Sequence, residues 1–174
     1  GLNELNTPQH KIITVEDPVE YRLPRVNQVQ VHDQIGLSFA RVLRTALRQD
    51  PDVILVGEIR DRETAEIAIR AALTGHLMLS SLHASDSTGV LSRLTDLGIE
   101  PFLIAYAINL VVAQRLLRRL CNKCKRPAKE LNHAELHNVG FTDEEIETTT
   151  FYEPVGCSAC VKGYKGRAAI HEAL

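Results

Sequence analysis

A three-layer α/β fold with a largely parallel sheet is the class this sequence predicts. Short β-branched runs, IITV at 12–15 and VILV at 53–56, alternate with amphipathic helical stretches. These runs lead into Glu16 and Glu58, and a third apolar run at 77–82 leads into His83. With 44% hydrophobic and 24% charged residues over 174 positions, the chain can enclose a core and reads as soluble and globular.

The first strand, Ile12 to Val15, breaks at Pro18, which has no amide hydrogen for a ladder. NQVQV at 27–31 alternates as a short strand. Residues 37–50 form an amphipathic helix. Ser38 is its N-cap, and Phe39, Val42, Leu43, Ala46 and Leu47 recur on one face. The strand 53–56 follows, then a helix from the Asp61 cap to its stop at Gly75. Residues 77–82 form another strand, and DSTGVLSRLTDLG a helix ending at Gly98. Pro101 suits the first turn of a long buried helix running to about Leu120. Its apolar run, PFLIAYAINLVVAQRLL, contains Asn109, Gln114 and Arg115 and is shorter than the roughly 20 apolar residues of a membrane span.

Composition changes at Cys121, and from there to Gly163 neither a strong period nor a core strand is predicted. The expected organisation is a core at 1–120, a four-cysteine module at 121–163, and a returning segment at 164–174 that starts a final strand. Gly1 to His10 is polar, so no export signal opens the sequence. Lys plus Arg total 20 and Asp plus Glu 22, a balance that argues against a general nucleic-acid binder.

Three polar clusters fall at or just beyond strand ends: Glu16, Asp17 and Glu20; Glu58, Arg60 and Asp61; His76 and His83. Ligands in open α/β sheets bind outside the carboxyl ends of strands, so the clusters are expected to line one crevice. Phosphoryl transfer suits them. Mg²⁺ takes oxygen ligands and needs only one or two carboxylates. A further carboxylate can orient or deprotonate water, an effect of roughly 10²–10⁴-fold. Taken singly, each cluster has an ordinary explanation: a solvated turn, or a histidine capping a helix. Their joint placement favours a site.

Cys121-x-x-Cys124 and Cys157-x-x-Cys160 can supply four thiolates to a structural Zn²⁺. The 32 residues between the pairs exceed the 15–20 of a compact zinc ribbon. Two disulfides, a redox pair or an iron site are the alternatives; the missing export signal favours metal. Four cysteines close a shell, which leaves His133, His137 and His171 as surface or packing residues.

ITVEDPVEY, LRQDPDVILVGEIRD, LTGHLMLSSLHASDS and AQRLLRRLCNKC together resemble the secretion ATPase superfamily, specifically the ATPases of bacterial type II secretion and type IV pilus assembly. The likeness covers about 11–173, with the family's Asp box, Walker B and His box in order. It implies a RecA-like P-loop NTPase core with a tetracysteine module, acting on ATP with Mg²⁺. Glu16, Glu20 and Glu58 match the catalytic acids. Asp17, Arg60, Asp61, His76 and His83 match residues around the nucleotide. Cys121, Cys124, Cys157 and Cys160 match the zinc ligands. The resemblance further implies a hexameric parent at the cytoplasmic face of the inner membrane, docked on a platform protein and driving pilus or pseudopilus assembly. Two other functions stay open at this point: a RecA-like motor on nucleic acid, and a partner-binding module without catalysis.

No G-x-x-x-x-G-K-[ST] occurs in the 174 residues. In the family that P-loop precedes the Asp box, so the chain is expected to be a truncated core that binds ATP weakly or not at all. Around the cysteines charge is segregated. A basic stretch runs from Arg115 to Lys129 and an acidic one from Glu130 to Glu153, either a solvated surface or a docking face.

Overall fold

The computed structural model describes all 174 residues. They fall into two compact units, Gly1–Ala113 with Glu172–Leu174, and Gln114–His171.

The first unit begins with α1 (Leu2–Leu5), β1 (Ile12–Glu16) and β2 (Asn27–Gln30). It continues through α2 (Phe39–Leu47), β3 (Val53–Val56), α3 (Arg62–Leu73), β4 (Leu77–Ser80), α4 (Ser87–Asp96) and α5 (Pro101–Ala107). The four strands form one sheet in the order β2-β1-β3-β4, and every pairing is parallel. Their carboxyl ends therefore share one edge of the sheet. Ile12, Ile13, Val15, Ile54 and Val56 are all buried. That is why the strands read as continuous apolar runs rather than as alternation.

The helix signals in the sequence correspond to real caps. The Ser38 side chain accepts the Arg41 N–H, and Asp61 accepts both the N–H of Thr64, at 2.8 Å, and its hydroxyl, at 2.9 Å. The α2 stripe is buried at Phe39, Val42, Leu43 and Ala46. Helices α2 and α3 pack on each other; α2 also meets β1 and β3, and α3 meets β4 and α5. Val15, Leu43, Ile54, Val56, Ala65 and Leu94 belong to the core this creates. Each large side chain there stabilises the fold by about 1.5–3 kcal/mol.

One expected element is corrected. The long buried helix from Pro101 stops at Ala107, and residues Val112–Leu120 form a strand, β5, instead. The segment is buried only in part: Ile104 and Val111 are enclosed, while Phe102, Tyr106, Leu110 and Val112 are exposed. An apolar run of this length does not distinguish helix from strand by periodicity. Pairing with β8 (Tyr164–Ala173), far along the chain, decides it.

The second unit carries the parts of β5 and β8 within 114–171, a two-residue antiparallel pairing of β6 (Arg126–Pro127) with β7 (Tyr152–Glu153), and the short helices α6 (His133–Asn138) and α7 (Asp143–Thr148). The small strands lie where none was expected; two residues are too few to leave a pattern. Thr142 and Glu145 cap α7 reciprocally. Phe141 and Phe151 meet edge to face at 5.3 Å, and Arg126 pairs with Glu153 at 2.5 Å. Cys121 and Ile146 are the buried apolar side chains of this unit. So small a core calls for another cross-link.

Candidate functional site

Asp17 follows β1, Glu58 follows β3 and His83 follows β4, three neighbours in the sheet. Gly57 makes the approach possible. Its N–H donates to Val15 O at 2.7 Å, and a Cβ there would stand 3.2 Å from that oxygen and 3.4 Å from Glu16 Cα. Ser81 then locks the β4 end to the β3 end. Its hydroxyl donates to Gly57 O at 2.7 Å, and its carbonyl accepts the Ile59 N–H at 3.0 Å.

Glu58 is the centre of this corner, with its side chain 18% exposed. Arg60 Nη2 reaches Oε1 at 2.5 Å, and His83 Nε2 reaches Oε2 at 3.2 Å. Arg60 also lies 3.6 Å from Asp17 Oδ2 and 5.9 Å from the centre of the Phe39 ring. The hydrogen bond from Arg60 holds the Glu58 carboxyl below its ordinary range, against burial, with the Arg60 charge and His83 adding to the effect. The same bond raises Arg60. Glu58 is therefore ionised at neutral pH with both oxygens engaged.

The remaining candidates divide. Glu16 is fixed by side-chain donors, the Thr14 hydroxyl and Gln28 Nε2 at 3.0 Å. Thr14 and Glu16 share a face of β1, and Gln28 pairs in register with Thr14. Glu20 is exposed and is outside the Glu58 network. Asp61 is engaged as the cap of α3. His76 precedes β4, so it stands at the opposite end of that strand from His83. Its Nδ1 lies 3.1 Å from Ala71 O at the end of α3. It lines a separate recess of about 510 Å³ along the open edge of β4, with Met78, Leu94 and Tyr106. The single crevice expected for all three clusters thus gathers Asp17, Glu58, Arg60 and His83, with Glu16 at its side.

Sequence reasoning passed over Gln28 and Ser81, and it read Gly57 only as the residue between the strand and Glu58. The alternation at 27–31 marks Gln28 as facing one way, but only the parallel register sets it beside Glu16.

In the second unit the sulfur atoms of Cys121, Cys124, Cys157 and Cys160 all lie within 4.8 Å of one another. The Cys121–Cys157, Cys124–Cys160 and Cys157–Cys160 separations are 4.0, 3.7 and 3.7 Å. A tetrahedral Zn²⁺ at about 2.3 Å from each sulfur requires edges of about 3.8 Å. The donor set and its spacing fit that ion. Main-chain donors aim at the sulfurs: Gly156 N–H at Cys124, 3.4 Å, and Cys157 N–H at Cys160, 3.3 Å. Burial pushes the Cys124 thiol up to about 11. At Cys160 burial acts the same way but is outweighed by the Cys157 amide and the neighbouring thiols, which bring it to about 7. Gly163 completes the fold of the site. Its φ is +85°, its carbonyl accepts the Cys121 N–H at 2.8 Å, and a Cβ there would lie 2.5 Å from that of Pro154.

No helix is long and apolar enough to cross a membrane.

A family model described as Type II/IV secretion system protein matches residues 1–174. The type IV pilus assembly ATPase PilB of Myxococcus xanthus is 54% identical over 175 residues, covering 100% of this chain and 31% of the relative. Type II secretion system protein E of Dickeya dadantii is 51% identical over 175 residues, covering 100% of this chain and 34% of the relative. The crystal structure of the pilus retraction motor PilT with bound ADP matches at a TM-score of 0.63 and 38% identity, covering 70% of this chain and 38% of that one. The chain spans about a third of the length of the curated relatives it matches.

Proposed function

The chain belongs to the Type II/IV secretion system protein family, and on that premise we propose that it is part of the ATPase of a type II secretion or type IV pilus assembly motor. One observation carries this assignment: Asp17, Glu58, Arg60 and His83 meet past the carboxyl ends of three adjacent parallel strands. That is where open α/β sheets bind nucleotides.

The substrate is ATP, and the core is RecA-like, extended in the parent by further sheet and a P-loop. Mg²⁺, when bound with the nucleotide, would neutralise charge on the phosphate oxygens, with Glu58 and Asp17 as the carboxylates nearest to it. Glu58, Glu16 and Glu20 are the acids available to orient or deprotonate water. Glu58 is ionised and waits under Arg60 and His83, so a nucleotide that draws Arg60 onto a phosphate oxygen frees a carboxylate oxygen for water. His83, with its side chain 89% exposed, is free to follow the terminal phosphate. Asp61 shapes the start of α3 at the edge of the site. The part of His76 narrows to holding the α3–β4 turn.

The four cysteines hold a structural Zn²⁺ that staples a unit of small core. The parent works as a hexamer, in the cytoplasm and peripheral to the inner membrane, against a platform protein and without nucleic acid. In it, residues 1–120 serve the core, 121–163 the metal module and 164–174 the returning segment.

A P-loop holds the β- and γ-phosphates through backbone N–H groups and a lysine. Without one, carboxylates repel the nucleotide, so this chain alone binds ATP weakly or not at all. The test is MgATP hydrolysis by this chain beside a version extended upstream. Activity only in the extended protein, lost in Glu58→Gln, is the expected result. Micromolar ATP affinity in the chain alone overturns the expectation of weak binding, and full activity in Glu58→Gln overturns the assignment.

A further inference from the structure

We propose that Glu172 is a positioning residue for the Glu58–His83 pair. The inference rests on assigning that pair to ATP hydrolysis. Ser87, the first residue of α4, is 1% exposed and donates its hydroxyl to Glu172 Oε1. Glu172 is not swinging free. Two residues on, Leu174 exchanges main-chain hydrogen bonds with Val111, at 2.9 and 3.0 Å.

His83 lies in the stretch 81–86 that joins β4 to α4. The upstream end of this stretch is tied to the Glu58 loop through Ser81, by its hydroxyl to Gly57 O and its carbonyl from Ile59 N–H. At the downstream end Asp86 caps α4, accepting the Gly89 N–H at 2.7 Å, and Glu172 holds the next residue. The first turn of α4 contains no acidic residue of its own. Glu172 adds a second carboxylate to the Asp86 cap at a helix amino terminus, where negative charge is favoured. With both ends held, the backbone of this stretch presents His83 to Glu58, its Nε2 3.2 Å from Oε2 although the side chain is exposed. A displacement of about 1 Å at α4 would break a contact of that length.

Two experiments test this, one independent of nucleotide. In this chain the imidazole NMR signal of His83 is resolved from those of the other histidines and followed in Glu58→Gln, Glu172→Ala, Ser87→Ala and Glu172→Gln. Glu58→Gln is expected to move it. Glu172→Ala and Ser87→Ala should move it the same way, while Glu172→Gln, whose amide oxygen still accepts from Ser87, should not. Adding Glu58→Gln to Glu172→Ala should then move it no further. A His83 signal unmoved in folded Glu172→Ala and Ser87→Ala chains overturns the proposal, and so does one unmoved in Glu58→Gln.

In the upstream-extended protein, Glu172→Ala should lower kcat by about 10–100-fold with the KM for ATP unchanged, and Glu172→Gln should restore it. An unchanged kcat overturns the positioning role. If Glu58→Gln also left hydrolysis intact, the assignment of the pair to hydrolysis would fail, while the NMR result would still decide whether Glu172 holds the loop.

Discussion

His83 Nε2 lies 3.2 Å from Glu58 Oε2, so β4 returns a histidine to the carboxylate that β3 delivers. In the upstream-extended protein Glu58→Gln should lower ATP hydrolysis by about 10²–10⁴-fold, because the amide can neither take a proton nor carry the charge. Phosphate release under saturating MgATP measures it, and a loss below tenfold would remove Glu58 from catalysis.

Arg60 makes the stability of the first unit depend on pH. Its hydrogen bond lowers the folded pKa of Glu58 from an ordinary 4.5, so the ionised form is favoured on folding. That contribution is fully present above about 4.5 and is lost as pH falls through the lower folded value. The melting temperatures of the wild type and Arg60→Gln should therefore differ near pH 6–7 and converge in acid. A gap that widened as pH fell would have the wrong sign for this pair.

Asp61 separates a structural part from a catalytic one. It caps α3 through Thr64, so Asp61→Ala should destabilise by about 0.5–2 kcal/mol, and Asp61→Asn, which keeps a capping oxygen, by much less. Urea unfolding of the three proteins checks the ranking. If Asp61→Asn is stable yet inactive in the extended protein, Asp61 acts at the nucleotide.

The cysteine cluster should hold about one Zn²⁺ per chain, measured by elemental analysis of protein purified without added metal. Chelation, or Cys124→Ser, should abolish amide protection across 114–171 and leave 1–113 protected. Gly163→Ala should weaken metal retention as well, since its Cβ collides with Pro154 in a backbone conformation that disfavours side chains. Loss of metal without loss of protection would make the site incidental to folding.

Much of the first unit was legible in the sequence because its signals are local. The Ser38 and Asp61 caps, the stripe of α2, and the doubly buried β1 and β3 each leave a pattern within a dozen residues. The acids at the strand ends were legible for the same reason, and the four cysteines announced themselves by spacing.

What the sequence by itself determined is therefore the kind of fold, the inventory of chemistry and the pairing of CxxC motifs. Tertiary structure alone decided which of those groups meet. Parallel order set Glu58 between the ends of β1 and β4, and it left His76 at the far end of the strand that leads to His83. A partner some fifty residues away turned the apolar run after Ala107 into β5 rather than more helix. Burial and register are properties of neighbours distant in sequence, and no local period encodes them.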